Sequence, residues 1–390
     1  MRNDRMRLLI ITDLYPDRIN PIGGIFVKHQ AQELMKHYDV HVFATHMYDD
    51  VSNMETYNDP KGEYHDYIKI IRPLYLLNII KYRHLVIPRL KKVIGKLNPD
   101  IIHVHDCRHV PELVNLAPLL SNSGLPHYLT VHNMATHPVR IKNMLSRMIY
   151  RFLLPIAYKG WDHIFCVNNQ LIQQISAITQ THNISMIGNA IKPYSSASDP
   201  LIDKVVSFLE GAEFKIISAG NLKATKGFDL LIEAVAKIVS DGIPIRLAIF
   251  GDGDQRASLD RLIMDRGMKN AICCFGGVEN SILRNLYPLF DAFILPSYSE
   301  TFGIVYLEAM AAGIVTVGVR GQGIDGVIKH GDNGLLVDPK SIESIEQQIR
   351  WIISHPTEAK NIAQEGKILV DRDFRLEQLC DRIMSVYEKR

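Results

Sequence analysis

Short apolar runs alternate with amphipathic stretches along nearly the whole chain, and this alternation most narrows the possible folds. RLLIIT, DVHVFAT, DIIHVHD, HYLTVHN and DHIFCVN have strand length in the first half. FKIISAG, IRLAIFGDG, AICCFGG, DAFILPS and VTVGV follow in the second. Between them, segments such as IFVKHQAQELMKHY, FDLLIEAVAKIVSDG and QRASLDRLIMDRG carry apolar residues at helical spacing. Short buried strands separated by helices pair in parallel, so the pattern predicts α/β sheets wound by helices on both faces.

A chain of 390 residues is too long for one ordinary core and suits two domains. The irregular stretch KPYSSASDPLID, 192–203, marks the expected break. The reading is therefore two doubly wound, Rossmann-like domains, 1–195 and 196–368, facing across a cleft, with a helix at 369–390 after them. No apolar run approaches the roughly 20 residues of a transmembrane helix. The N-terminal apolar run is short and meets Asp13 at once, which argues against a secretory signal. Five scattered cysteines form no C-x-x-C pair and read as buried thiols in a reducing cytoplasm.

Charge is distributed unevenly. Residues 1–195 hold 22 Lys and Arg against 15 Asp and Glu, while residues 196–390 hold 22 against 27. Two stretches, Tyr67–Asn98 and Leu113–Trp161, contain no acid but many Lys, Arg, Leu and Ile. Such a face suits an anionic membrane surface, a solvated helix or an anionic substrate. No nucleic-acid motif accompanies the charge, so no nucleic-acid partner is expected.

In open parallel sheets, ligands bind beyond the carboxyl ends of the strands. Glycine turns lie at several of these ends. Gly23 and Gly24 precede a helix after the first strand, a place where backbone amides can meet a phosphate. The pattern is not G-x-G-x-x-G, so the NAD fingerprint is absent there. Lys226 and Gly227 precede a later helix without matching a P-loop. Gly251-Asp252-Gly253 closes a tight strand-to-helix turn. Asp252 and Asp254 make a formal D-x-D, better read as helix-start acids than as metal ligands.

The segment SETFGIVYLE places Glu300 in a loop and Glu308 about one turn into the next helix. Gly303, Ile304 and Val305 stand at the helix start, where N–H groups lack intrahelical partners. Amides that hold an anion, with a carboxylate on each side to accept sugar hydroxyls, suit a nucleotide-diphosphate sugar.

These elements, in this order, resemble the retaining glycosyltransferases of family 4, group 1, which have the GT-B fold. The resemblance rests on IGGIFVKHQAQEL, DIIHVHD, LTVHN, MIGNAIK, AGNLKATKGFDLLIEA, LAIFGDGDQ, FGGV, SETFGIVYLEAMAAGIVTV and GDNGLLVDP. It covers nearly the whole chain and is strongest over 215–340. It implies that Glu300 orients the donor sugar and Glu308 binds the ribose. Gly303, Ile304 and Val305, with Lys226, would hold the diphosphate, and Gly23 and Gly24 would close on it. His132 would touch the donor sugar, and the base would lie near Gly276, Gly277 and Val278, with Gly251 in the donor-side turn. Asn221 stands where the family usually has an arginine. No metal and no cofactor beyond the substrate is implied, and the last helix crosses back onto the first domain.

The activity implied is transfer of a hexose-type sugar from a UDP- or GDP-sugar to a lipid-linked or cell-surface glycan. Its expected place is cytoplasmic, with the basic first domain at the inner face of the membrane. A nucleotide-sugar epimerase, a phosphorylase on the same fold and a nucleotide-sugar-binding subunit without turnover remain as alternatives, the last motivated by Asn221.

Overall fold

A computed structural model describes residues 5–21, 23–48, 57–58, 62–69, 75–106, 110–133, 144–179, 181–192 and 199–389. The chain divides into two compact units, one of residues 1–188 with 379–390, the other of residues 189–378.

The first unit is built on strands β1 (Arg7–Thr12), β2 (Asp39–Tyr48), β3 (Tyr57–Asn58), β4 (Glu63–Lys69), β5 (Ile101–Asp106), β6 (His127–Val131), β7 (His163–Cys166) and β8 (Ile184–Met186). They form one sheet in the order β3-β4-β2-β1-β5-β6-β7-β8. All neighbours are parallel except the short β3 against β4. Helices α1 (Ile25–Leu34), α2 (Tyr75–Leu97), α3 (Val110–Ser121), α4 (Met144–Tyr158) and α5 (Asn169–Thr179) connect them. Every residue of β5 and β6 is buried, as expected of parallel strands covered on both faces.

β4 departs from the sequence-based reading, which assigned no strand there. Its buried residues include His65 and Asp66. His65 is hydrogen-bonded to His46 on β2 at 2.9 Å, and Asp66 is ion-paired with Arg89 of α2. A strand that buries polar residues on both faces shows no apolar alternation, so hydropathy does not reveal it.

The second unit continues with α6 (Pro200–Leu209), β9 (Phe214–Ala219), α7 (Phe228–Ser240), β10 (Ile245–Phe250), α8 (Arg256–Asp265), β11 (Ile272–Gly276), α9 (Asn280–Leu286) and β12 (Ala292–Ile294). Then come α10 (Ile304–Ala311), β13 (Val315–Val319), β14 (Leu335–Val337), α11 (Ile342–Ser354), α12 (Pro356–Asp373) and α13 (Leu376–Tyr387). The six-stranded sheet has the order β11-β10-β9-β12-β13-β14, all parallel. Both units are thus doubly wound α/β structures.

Residue 369 does not begin the last helix but lies inside α12, which ends at Asp373 before α13 starts at Leu376. The junction between the units falls at Gly188–Asn189, ahead of the irregular 192–203 stretch. The segment that follows the junction pairs with residues far along the chain. The Ile191 N–H donates to the Phe374 carbonyl at 2.9 Å, and the Leu376 N–H donates to the Ile191 carbonyl at 3.1 Å. Residues 379–390 then join the first unit. Tyr387 packs on Tyr128 with ring centroids 4.6 Å apart and is hydrogen-bonded to His103 Nδ1.

His103 is buried, bonded to Thr130 Oγ1 at 2.7 Å through its other nitrogen, and its pKa is pushed down to about 3 by burial. An unfolded histidine protonates near pH 6.5. His103 therefore contributes stability that is complete above about pH 6.5 and is lost as pH falls toward about 3. Thermal unfolding midpoints should decline from pH 6.5 to 4, and His103→Asn should make that decline shallower; an unchanged slope refutes the assignment. Tyr387→Ala, which empties a packed aromatic site and leaves His103 Nδ1 without its partner, should cost about 3 kcal/mol or more in urea unfolding. A loss below about 1 kcal/mol contradicts this role for the helix.

Candidate functional site

Each sheet reverses its strand order once, between β1 and β5 in the first unit and between β9 and β12 in the second. Crevices at such points, beyond the carboxyl ends of the strands, are where open α/β sheets bind ligands. The predicted residues of the second unit gather there. Lys226 follows β9 and Glu300 follows β12, and these strands are neighbours through Ala292↔Ile216 and Phe293↔Ile217.

Glu300 is held in place by its main chain. Its N–H donates to Gln322 Oε1 at 3.2 Å, and its carbonyl accepts from the Gly323 N–H at 3.0 Å. Its carboxylate is ion-paired with Lys226, both side chains being mostly buried. The sequence reading assigned Lys226 to a diphosphate and Glu300 to a sugar; here the two neutralise each other. Gly303 caps α10 with φ 81°, a left-handed conformation natural to glycine. A Cβ there would lie 2.5 Å from the Tyr306 ring and 3.2 Å from Glu300 Cγ. The Tyr306 N–H turns back to the Gly303 carbonyl at 3.0 Å, and no side chain caps the helix. The amides of Gly303, Ile304 and Val305 thus stand at an uncapped helix head, where a negative charge is favoured.

Glu308 is 4% exposed rather than open to the crevice. Its Oε1 accepts from Asn280 Nδ2 at 2.8 Å, Arg284 Nη2 at 3.0 Å and Arg284 Nε at 3.2 Å. Its Oε2 is buried with no hydrogen-bond partner among the described residues. The Tyr287 hydroxyl is buried beside the Glu308 carboxylate and interacts with it; burial, and then the Glu308 charge, hold its pKa well above the phenol range. Sequence reasoning missed Arg284. A lone arginine in the apolar helix SILRNLYPLF was the available signal.

The turns after β10 and β11 support this region. The Gly251 N–H donates to the Gly276 carbonyl at 2.8 Å, and the Gly277 N–H donates to Asp252 Oδ2 at 2.9 Å. Asp252 also lies 3.8 Å from Arg256, so its carboxylate serves the turn. Val278 is half-buried next to it. Asn221 is exposed, and its carbonyl accepts from the Lys223 N–H at 2.7 Å.

Gly23, Gly24 and His132 belong to the first unit. Gly24 has φ 67°, and a Cβ there would lie 2.0 Å from the Leu14 carbonyl oxygen, so the turn into α1 admits little else. Asp17, which the sequence reading passed over, shapes the loop before it. Its Oδ1 accepts from the Asn20 N–H at 2.7 Å and the Ile19 N–H at 3.0 Å. Its Oδ2 accepts from the Tyr48 hydroxyl at 2.9 Å and lies 3.2 Å from His46 Nδ1. The Gly23 N–H donates to the Asn20 carbonyl at 3.1 Å. His132 follows β6, with its Nε2 3.0 Å from His105 Nδ1 and its ring centroid 4.5 Å from that of Phe26 on α1. Burial pushes its pKa down to about 3, so the ring is neutral at pH 7. Its Nδ1 is buried with no partner among the described residues. Unit one therefore brings His132 against the helix that follows Gly24.

Comparison with known proteins bears on the family and the fold. The model of glycosyl transferases group 1 matches residues 202–368, and that of glycosyltransferase family 4 matches residues 23–193. The chain is 25% identical over 403 residues to the uncharacterized glycosyltransferase MJ1607 of Methanocaldococcus jannaschii, with 98% of each covered. Its fold matches sucrose-phosphate synthase from Thermosynechococcus elongatus with a TM-score of 0.76 at 17% identity, covering 99% of both chains. It matches Anabaena HepE in complex with UDP-glucose with a TM-score of 0.70 at 18% identity, covering 99% of this chain and 100% of that one. Two family models that tile nearly the whole sequence, on two doubly wound units of the GT-B type, establish that the chain belongs to the group 1 glycosyltransferases of family 4.

Proposed function

We propose that the protein is a retaining transferase that moves a hexose-type sugar from a UDP- or GDP-sugar to a hydroxyl of a lipid-linked or cell-surface glycan. The observation that carries this reading is the pairing of an uncapped α10 head with the buried, partnerless Oε2 of Glu308 beside it. Amides suit the diphosphate, and a carboxylate oxygen suits a ribose hydroxyl. HepE, of the same fold, was crystallised with UDP-glucose.

In this reading the diphosphate lies against Gly303, Ile304 and Val305, and its charge draws Lys226 away from Glu300. Glu300 then accepts from hydroxyls of the donor sugar, while the base rests near Gly276, Gly277 and Val278. Gly23, Gly24 and neutral His132 are assigned to the donor as well. The bond from the anomeric carbon to the phosphate oxygen breaks as that carbon bonds the acceptor oxygen on the same face. The acceptor proton passes to the departing phosphate oxygen, so configuration is retained. Catalysis consists of placement and charge stabilisation by Lys226 and the helix amides, with no metal ion assigned a role.

The acceptor reading rests on the surface of α2. Arg83, Lys91, Lys92 and Lys96 are exposed there, next to Leu77, Ile80 and Leu85 at 40%, 54% and 45% exposure. Phe152 of α4 is 71% exposed beside Arg151. Basic groups among exposed apolar side chains suit an anionic membrane surface. Arg72, Arg140 and Lys142 of the acid-free stretches lie outside the described residues. Among the described residues, no helix is long and apolar enough to cross a membrane. The exposed, uncharged Asn221 favours a second reading, a nucleotide-sugar-binding subunit without turnover.

Glu300→Gln and Lys226→Ala should each lower kcat by about 10²–10³-fold in a donor-hydrolysis or transfer assay. UDP- or GDP-sugars should raise the unfolding midpoint of the wild type but not of Glu308→Ala. Donor binding without transfer across a panel of glycan acceptors selects the second reading; no shift with either nucleotide sugar rejects both. Vesicles containing anionic lipid should carry the protein in flotation, and Lys91→Glu with Lys92→Glu and Lys96→Glu should abolish this. Loss of neither binding nor activity in that triple variant removes the membrane part.

A further inference from the structure

Arg284 touches more than Glu308. Its side chain is buried, and its Nε and Nη2 donate to Glu308 Oε1 at 3.2 and 3.0 Å. Its Nη1 donates to the Lys192 carbonyl at 3.0 Å. Lys192 adjoins Ile191, whose N–H and carbonyl are engaged by Phe374 and Leu376. The chain enters the second unit at Asn189 and leaves it at Gln378. One guanidinium therefore joins a donor-site carboxylate to the segment where both chain crossings are stitched together.

From this geometry we infer that Arg284 is a positioning residue with two tasks. It rests on the reading of Glu308 as the ribose ligand. The first task is to hold Oε1 so that Oε2 alone remains for a ribose hydroxyl. A buried carboxylate needs a paired, hydrogen-bonded countercharge to persist there, and a forked guanidinium also sets its orientation. The second task is to transmit occupancy of that oxygen to the Lys192 carbonyl. The planar fork makes this possible, because its arms cannot move independently. A nucleotide bound at Glu308 then steadies the crossing segment 189–192 through a chain of three contacts. Arg284 touches no reacting atom, so its loss should weaken donor binding more than turnover.

Titration calorimetry with UDP and GDP, and hydrogen exchange of the 189–192 amides with and without the bound nucleotide, test this on the full-length protein. Arg284→Gln should weaken the nucleotide at least about tenfold, with donor KM raised and kcat changed far less. In the wild type the nucleotide should slow exchange at 189–192. Arg284→Lys keeps a positive charge beside Glu308, but its single ammonium does not span both acceptors. It should recover most of the affinity and none of the exchange protection. Should Arg284→Gln fail to fold, Arg284→Lys alone decides. Wild-type affinity in Arg284→Gln, no nucleotide effect on wild-type exchange, or equal protection in Arg284→Lys overturns the inference. Failure of both nucleotides to bind the wild type, or binding unaltered by Glu308→Ala, instead overturns the donor-site reading beneath it.

Discussion

Parallel pairing of β9 with β12 is the constraint on which the candidate site depends. It brings together two loops whose key residues, Lys226 and Glu300, are 74 positions apart in the chain. The sheet runs outward from β9 through β10 and β11 and, on the other side, from β12 through β13 and β14. Connections that leave in opposite directions open a crevice between the two strand ends. A ligand in such a crevice meets backbone amides and helix heads rather than a packed surface. The uncapped start of α10 is therefore a consequence of topology as much as of its own residues.

Charges kept from water organise both units. In the second, Arg284 and Asn280 engage one oxygen of Glu308, and the other is buried without a hydrogen bond among the described residues. In the first, Asp17 gathers two loop amides, a tyrosine hydroxyl and His46, and so shapes the loop leading to Gly23. A buried carboxylate is costly unless its partners are in place, so each such group fixes the conformation around it. The Glu308 position of α10 and the loop before Gly23 are held this way. The buried histidines His103, His105 and His132 follow the complementary route, since burial keeps their rings neutral.

Where apolar periodicity was strong, the elements were legible. The strands DIIHVHD and HYLTVHN and the helix FDLLIEAVAKIVSDG stand where their patterns put them. The glycine turn before Ile304 was legible too, because a left-handed position at a helix head suits glycine, but the burial of Glu308 and the pairing of Glu300 with Lys226 were not. β4 was not, since polar His65 and Asp66 are buried on its two faces where aliphatic side chains would have marked it. Nor was the break after Asp373, which depends on a pairing with Ile191 that no local pattern announces.

By itself the sequence determined the alternation of strand and helix, hence two parallel α/β sheets, and the residue types available at the strand ends. These follow from local periodicity and backbone chemistry, which act over a few residues. Tertiary structure decided which strand ends are neighbours, and with them the partners of each charge. It paired Lys226 with Glu300, closed Arg284 onto Glu308 and Lys192, and buried Oε2 of Glu308 without a hydrogen bond among the described residues. Those contacts arise between residues far apart in the chain. Desolvation and strand order, neither of which is written in any short segment, select them.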